Sequence, residues 1–571
     1  MKLSNKTAGI ALAVIILISL CISCAFMAAK QGYHEDELLT YNLANSSKQL
    51  GVDAQWNSPE DFNEYLAAGE HRFDYVNVYN NQVIDASHPP FYYALVHTVC
   101  SFFPGVFSRW LAFSVNVVMM AAALVLLFKI GKRVTDSNLY ALIAAGGYAF
   151  SVACITTTIY LRMYATLTFF VLAFLYLTLV IYDRKNSVKI TDYILMLVVV
   201  TLGILTQYYF ILCAGLTGLV FLIFSIKEKS FKSLIFYIVT AVIGAGIALA
   251  IYPYIITNVL GGNRGFGSLK LDIDVITIFT YMVYKLFTYF EVLAKDMFLG
   301  QLWLLILCAV ALIASQIYFR FVKKQRLPRK AWFVIVPGVV FFLGISFVSP
   351  FNSDRYVMAS LPLISMMTTL GFARIFTLFK NERVRLVLPV SVVLVNALAF
   401  AVVRPYYVYG RTNLYQPKTK DCVFIGTAMM EWNKCIDKFM QYDSTMIAQT
   451  TEMSKTLFDE LDAFASKRGV VTNGKIGAFA QSFMSNGDVD RKEFDSLQKL
   501  AKDEKLNGMS EVTVYISRLA DEPTVIDAIT QNTPLKNYEL IQADREFEEF
   551  YNWYDYFVET ESYCNVYRFY V

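Results

Sequence analysis

The chain has 571 residues, 56% of them hydrophobic and 17% charged, with a formal net charge of +4. A soluble domain carries roughly 25% charged residues, and here the apolar residues gather in long unbroken runs, which excludes an ordinary soluble protein. The near-neutral total is uninformative beside the distribution of charge along the chain, and no nucleic-acid partner is expected.

A helix needs about 20 apolar residues to cross a bilayer. In chain order, the runs 8–29, 106–128, 139–158, 164–182, 191–206, 208–226, 234–256, 300–319, 331–349, 356–373 and 386–403 predict about eleven transmembrane helices. The first run is too long for a signal-peptide core and reads as an uncleaved anchor. One set of loops is basic, with Lys129, Lys132 and Arg133; Arg184, Lys185 and Lys189; Lys227, Lys229 and Lys232; Arg320 to Lys330; and Lys380 to Arg385. The alternate short loops are poor in Lys and Arg. Basic loops face the cytoplasm, so the N-terminus is placed inside, in a multi-pass plasma-membrane protein, and residues 404–571 outside.

Segment 272–299 is aromatic but interrupted by Lys285, Glu291, Lys295 and Asp296. A charge at the bilayer centre costs about 2.5–3.5 kcal/mol on the insertion scale, so this segment is expected as an amphipathic helix at the outer interface. The external loop 30–105 is acidic, with helical character at 36–50 and 58–68 and an apolar stretch at 91–103. In the tail, strand-like runs at Asp421–Ile425, Thr445–Gln449, Glu511–Ile516 and Asn565–Val571 alternate with helix-like runs at Met429–Met440, Met453–Lys467 and Arg491–Lys505. That alternation predicts an α/β domain. Asn473-Gly474 and Asn486-Gly487 read as turns. The fold class is therefore a polytopic α-helical membrane module, 1–403, followed by an extracytoplasmic α/β domain, 404–571. Nine cysteines lack CxxC or zinc-site spacing. A disulfide among Cys422, Cys435 and Cys564 stays open.

Three clusters on the outer side carry chemistry. His34-Glu35-Asp36-Glu37 follows the first helix. Three adjacent carboxylates repel one another, and a confined one can act as a general base. His34 can be their proton partner or a metal ligand, and the whole run can equally be a helix-capping sequence. His88 lies in Asp85-Ala86-Ser87-His88-Pro89-Pro90-Phe91-Tyr92-Tyr93, where the double proline fixes the return to the membrane. Arg162, in a loop of a few residues beside Tyr164, needs a partner so close to hydrocarbon. It can snorkel to lipid headgroups or hold a lipid phosphate with its guanidinium fork. Arg355-Tyr356 repeats the arrangement, and Gln207-Tyr208-Tyr209 forms a third polar turn. A carboxylate to take an acceptor proton, with arginines for a departing phosphate, suits transfer from a lipid phosphate to a hydroxyl. A transporter or flippase would place charges within its spans, and a non-catalytic envelope-assembly protein would need none of these groups.

At Asp36-Glu37, His88-Pro89-Pro90-Phe91-Tyr92-Tyr93, Arg162-Met163-Tyr164-Ala165, Gln207-Tyr208-Tyr209 and Arg355-Tyr356, residues 1–403 resemble the GT-C superfamily of polytopic glycosyltransferases. The nearest likeness is to the branch of protein O-mannosyltransferases and lipid A aminoarabinose transferases. The resemblance implies an inverting enzyme that uses a polyprenyl-phosphate-linked sugar, by analogy with base-assisted attack in inverting glycosidases. The acceptor would be a glycan, lipid or protein. Carried over, Asp36 is the base with Glu37 in support, and Arg162, Arg355 and Tyr164 bind the donor phosphate. His88, Glu35, Tyr208 and Tyr209 bind donor or acceptor. A divalent metal is a candidate cofactor, with His34, Glu37 and His88 as its candidate ligands.

Overall fold

The computed structural model describes residues 3–30, 32–47, 50–260, 275–349, 353–381, 419–427, 431–457, 496–500, 502–543 and 564–571, with isolated positions among 383–408 and 459–463. Most of the expected span 386–403, and the turns at Asn473 and Asn486, lie outside the described residues.

The chain opens with α1 (Asn5–Ala29), whose N-terminus is capped by Ser4. The first loop then folds into α2 (Glu35–Asn45), β1 (Gln55–Asn57), α3 (Pro59–Leu66), α4 (Tyr75–Asp85) and α5 (Phe91–Ser101). The bundle continues with α6 (Arg109–Thr135), α7 (Asn138–Ala149), α8 (Val152–Ile159), α9 (Tyr164–Arg184), α10 (Ile190–Ile204), α11 (Tyr209–Lys227) and α12 (Phe231–Ile251). After α13 (Ile255–Leu260) come α14 (Val275–Met297), α15 (Leu302–Phe321), α16 (Trp332–Val348) and α17 (Leu361–Phe376).

Among the described residues eight helices are long and apolar enough to cross a membrane, or nine if α7 and α8 form one span. The protein is thus a polytopic helical membrane protein. The shorter apolar α10 occupies the expected run at 191–206. The run 139–158 was expected as one straight helix. It is instead two, bent by 57°. The reason is local: Ser151 leaves the helical path and its hydroxyl accepts the backbone N–H of Cys154 (3.2 Å), starting a new helix.

Burial follows position in the bundle. Almost every side chain of α9 is buried, whereas α15 leaves Trp303, Ile306, Leu307, Val310, Ile313, Ile317 and Phe321 exposed. An apolar stripe of that length is stable against lipid but not against water. Helices α6 and α7 cross closely at Gly131, where a Cβ would come within 2.9 Å of the Ala141 backbone. One end of the bundle gathers the basic loops with their acidic partners. Arg133 and Lys330 each reach Asp183 (2.8 Å), Lys185 and Arg329 reach Glu228, and Arg184 pairs with Asp192.

Helix α14 forms where the amphipathic helix was expected. Two of its charged residues, Lys285 and Asp296, are buried against protein. Lys285 donates to the Ser349 carbonyl, and the Tyr289 hydroxyl donates to the Ser349 side chain (2.7 Å).

The tail builds a mixed sheet from β2 (Asp421–Gly426), β3 (Ser444–Gln449), β4 (Glu511–Ser517), β5 (Asn537–Gln542) and β6 (Cys564–Tyr570). All four strand-like runs of the tail are present, each within a residue or so of its expected bounds. The sheet has six strands, ordered β1-β3-β2-β4-β6-β5. Its first strand comes from the external loop: Gln55, Trp56 and Asn57 pair antiparallel with Ile447, Met446 and Thr445. Three residues carry too little alternation to announce a strand. The polar edge strand β5 and the helix Glu522–Asn532, capped by Asp521, were also unanticipated. Alternation sends Val423 and Ile425 of β2 into a core with Val512, Val514, Val525 and Ile529. Cys422 and Phe424 face the other way, into a core continuous with the bundle. Cys422, Cys435 and Cys564 are all buried.

The second face is what docks the tail on the first loop. Trp432 packs on Tyr65 (ring centroids 5.5 Å apart), Phe439 on Phe62 (5.7 Å), and the Tyr65 hydroxyl reaches Asn433 (3.4 Å). Removing a buried Trp side chain costs about 3–5 kcal/mol. Trp432→Ala is therefore expected to loosen this docking while leaving the bundle intact. Limited proteolysis should then release the tail domain faster than from the wild type, and an unchanged cleavage rate would refute the docking role.

Candidate active site

Helix α2 begins with a reciprocal cap. His34 Nδ1 accepts the Asp36 N–H (3.1 Å), and Glu37 Oε2 accepts the His34 N–H (2.8 Å). Three acids in a first turn also suit the positive end of the helix dipole. The acidic run is thus a helix start, and tertiary contacts separate its members.

Glu37 is fully buried and its bonds are structural. Oε1 accepts from Lys30 Nζ (2.6 Å) and from the Leu161 N–H (2.9 Å). Asp36 turns the other way: its Oδ2 pairs with Arg355 and accepts the Tyr160 hydroxyl (2.9 Å). Glu35 is half-buried. The three carboxylates therefore do not share one site, contrary to the mutual repulsion expected from their adjacency. Burial, together with Arg355, Lys434, Lys30 and Arg162, holds His34 well below the ordinary imidazole value. It is neutral at neutral pH, and its Nδ1 lone pair is occupied by the cap.

Arg162 lies in the turn between α8 and α9 and is 1% exposed. Its Nη1 donates to the Asp36 carbonyl (3.0 Å) and to Thr40 Oγ1 (3.1 Å). Its Nη2 faces His88 Nε2 (2.9 Å), and the guanidinium stands 5.9 Å from the centroid of the Tyr93 ring. All these partners are neutral. Among the described residues no carboxylate lies within ion-pair distance of Arg162, and its Nε–H has no hydrogen-bond partner. A buried cation without a counter-ion is among the costliest arrangements a protein can keep.

Arg355 also donates to the Tyr160 and Tyr356 hydroxyls (both 3.3 Å) and stands 5.1 Å from the centroid of the Tyr356 ring. Tyr164 stacks on Tyr160 (5.9 Å), and Tyr209 meets Tyr356 edge-on (5.9 Å). Tyr208 shares a hydrogen bond with the Asn258 amide (3.1 Å). The structure therefore brings Asp36, Arg162, Arg355, His88 and Tyr164 together. Tyr209 joins through Tyr356, and Tyr208 stands one contact further out. His34, Glu37 and His88 form no shared metal site: among the described residues no group of three such side chains is arranged to hold an ion. Both Glu37 oxygens and both His88 ring nitrogens are already engaged.

Several site residues have no role assigned from the sequence. Tyr160 is one of them. Lys30 is the partner of Glu37, seven residues away, and Asp85 stands three residues before His88. Tyr407, from the region assigned to the tail, stacks on Tyr160 at 3.8 Å, and its hydroxyl donates to the buried Asp354 (2.8 Å). Only the i,i+3 spacing of Asp85 and His88 was a usable signal. The others are contacts across 100 residues or more, or within an ordinary loop.

Residues 87–254 match the family model described as dolichyl-phosphate-mannose-protein mannosyltransferase. No curated protein matches the chain. Among solved structures, ArnT from Cupriavidus metallidurans bound to undecaprenyl phosphate aligns at 10% identity over 97% of both chains, with a TM-score of 0.44. The oligosaccharyltransferase of Archaeoglobus fulgidus, in a complex with zinc and sulfate, aligns at 12% identity over 88% of this chain and 68% of that one, with a TM-score of 0.46. The same organism's AglB, in complex with an inhibitory peptide and a dolichol-phosphate, aligns at 10% identity over 92% and 71%, with a TM-score of 0.39. The matched segment contains His88, Arg162, Tyr164, Tyr208 and Tyr209. Over residues 87–254 the family match agrees with the likeness to protein O-mannosyltransferases.

Proposed function

We propose that the protein is a membrane glycosyltransferase that moves a sugar from a polyprenyl-phosphate-linked donor to an acceptor hydroxyl, with inversion, at the outer face of the plasma membrane. The observation that carries this reading is the burial of Arg162 with no carboxylate within ion-pair distance among the described residues: a buried guanidinium whose Nε–H finds no partner among them suits an anion, and a phosphate fits its fork.

In this reading Arg162 and Arg355 hold the donor phosphate, with Tyr164 lining the site. Asp36 takes the proton of the acceptor hydroxyl as its oxygen attacks C1 of the sugar. The C1–O bond to phosphate breaks, and the polyprenyl phosphate leaves with its charge held by the arginines. In the structure Arg355 is paired with Asp36. An incoming phosphate competes for Arg355 and so releases the base when the donor is in place. His88, Glu35, Tyr208 and Tyr209 contribute to donor or acceptor binding, and Glu37 holds the loop rather than reacting. No step is assigned to a metal. The basic end of the bundle lies on the cytoplasmic side with the N-terminus, and the tail domain lies outside. The acceptor is a glycan, lipid or protein.

The test is turnover by the purified protein with a panel of polyprenyl-phosphate sugars and candidate acceptors, followed by mass spectrometry. Release of free polyprenyl phosphate with a matching acceptor mass gain is the expected result. Absence of turnover with every donor, in protein shown to bind polyprenyl phosphate, would count against the enzyme and favour a carrier of the same lipid.

A further inference from the structure

Asp85 is the last residue of α4, and Ala86 after it adopts a left-handed conformation (φ 52°) that turns the chain toward the double proline. One carboxylate oxygen, Oδ2, accepts the backbone N–H groups of Ser87 (3.1 Å) and His88 (3.0 Å) and lies 2.7 Å from His88 Nδ1. The other ring nitrogen, Nε2, lies 2.9 Å from Arg162 Nη2.

These distances determine the tautomer. A guanidinium only donates hydrogen bonds, so Nε2 must present its lone pair to Arg162. Nδ1 must then carry the hydrogen and donate it to Asp85. A carboxylate does this well, because it only accepts. The reverse tautomer would point an N–H at Arg162 and a lone pair at a carboxylate, and both contacts would repel. Protonated His88 would likewise set two donors against each other at Nε2. The side chain is buried, so no solvent rescues a wrong arrangement.

We propose that Asp85 is a positioning residue for donor binding. It locks His88 as the neutral Nδ1–H tautomer, and His88 in turn fixes one arm of the Arg162 guanidinium toward the site. The carboxylate also gives Arg162 its negative charge at one remove, through the imidazole, which leaves the remaining N–H groups for the ligand. His88 is thereby an acceptor for Arg162 and neither a general acid nor a metal ligand. This inference rests on the reading of Arg162 as the anion-binding group.

The test is a double-mutant cycle read by binding. Full-length protein in nanodiscs is titrated with undecaprenyl phosphate, as wild type, Asp85→Ala, Arg162→Ala and the double variant. Outer partners of metal ligands typically contribute 10- to 100-fold to affinity, and by that measure Asp85→Ala is expected to weaken binding about tenfold. In the Arg162→Ala background Asp85→Ala should add nothing, because its effect runs through Arg162. A merely structural Asp85 would give additive losses. Unaltered binding in Asp85→Ala, or additive losses, overturns the proposal. If Arg162→Ala itself binds like wild type, the anion-site reading falls and this inference with it. Should Asp85→Ala fail to fold, His88→Phe breaks the same link from the other side, and its loss too must vanish without Arg162.

Discussion

Replacing Asp36 with asparagine is expected to slow sugar transfer by about 10³-fold, within the range that a positioned general base contributes. The substitution is isosteric, and an amide cannot take up the acceptor proton. The side-chain oxygen can still accept from Tyr160, so the local packing holds. Donor binding should survive, because Arg162 touches Asp36 only through its backbone carbonyl, which the substitution leaves in place. Freeing Arg355 from its ion pair should, if anything, strengthen phosphate binding. The measurement is single-turnover transfer beside equilibrium binding of undecaprenyl phosphate. Transfer within tenfold of wild type would remove Asp36 as the base. A scaffold or a lipid carrier would show no dependence on this carboxylate at all.

Glu37→Gln is expected to act on stability rather than on the chemical step. Glu37 and Lys30 both have completely buried side chains, and removing one partner of such a pair costs about 3–5 kcal/mol, because the other charge is left behind. Burial already pulls Lys30 below the ordinary lysine value, and Glu37 opposes that pull. Without the carboxylate the value falls further. A lysine whose folded value lies below its unfolded one binds more protons when unfolded, so stability rises with pH between those two values. The variant should therefore melt well below wild type at neutral pH and recover part of the difference as pH climbs toward the free-lysine range near ~10.4. Thermal unfolding of detergent-solubilised protein from pH 7 to 10 measures this. A constant difference across that range would show that Lys30 is not the group being left uncompensated. Together the two substitutions separate neighbours that look interchangeable in sequence: one should slow transfer about 10³-fold in a stable protein, the other should weaken the protein itself.

The two residues illustrate where legibility ends. Asp36 and Glu37 are adjacent, acidic and in the first turn of one helix, so every local argument treats them alike. Successive helical side chains diverge by about 100° around the axis. One therefore points to Arg355, 319 residues on, and the other to Lys30 and the Leu161 backbone. Neither neighbourhood is written near position 36. The same holds for His88, whose neighbour Arg162 lies 74 residues further along the chain.

Membrane spans and motif order were determined by the sequence itself, because both are local or additive properties. About 20 apolar residues make a span wherever they occur, and ten of the eleven expected runs fall on described helices, one of them broken at Ser151. The strand runs of the tail were equally plain, since their residues alternate between two buried faces. Tertiary structure alone decided three other things: that β1, a three-residue piece of the external loop, completes the tail sheet; that Tyr407 stacks on Tyr160; and that Arg162 is buried with no carboxylate within ion-pair distance among the described residues. Each depends on groups brought together from distant parts of the chain. Such contacts are selected by packing and by the need to satisfy buried polar atoms, and those requirements exist only once the chain has folded.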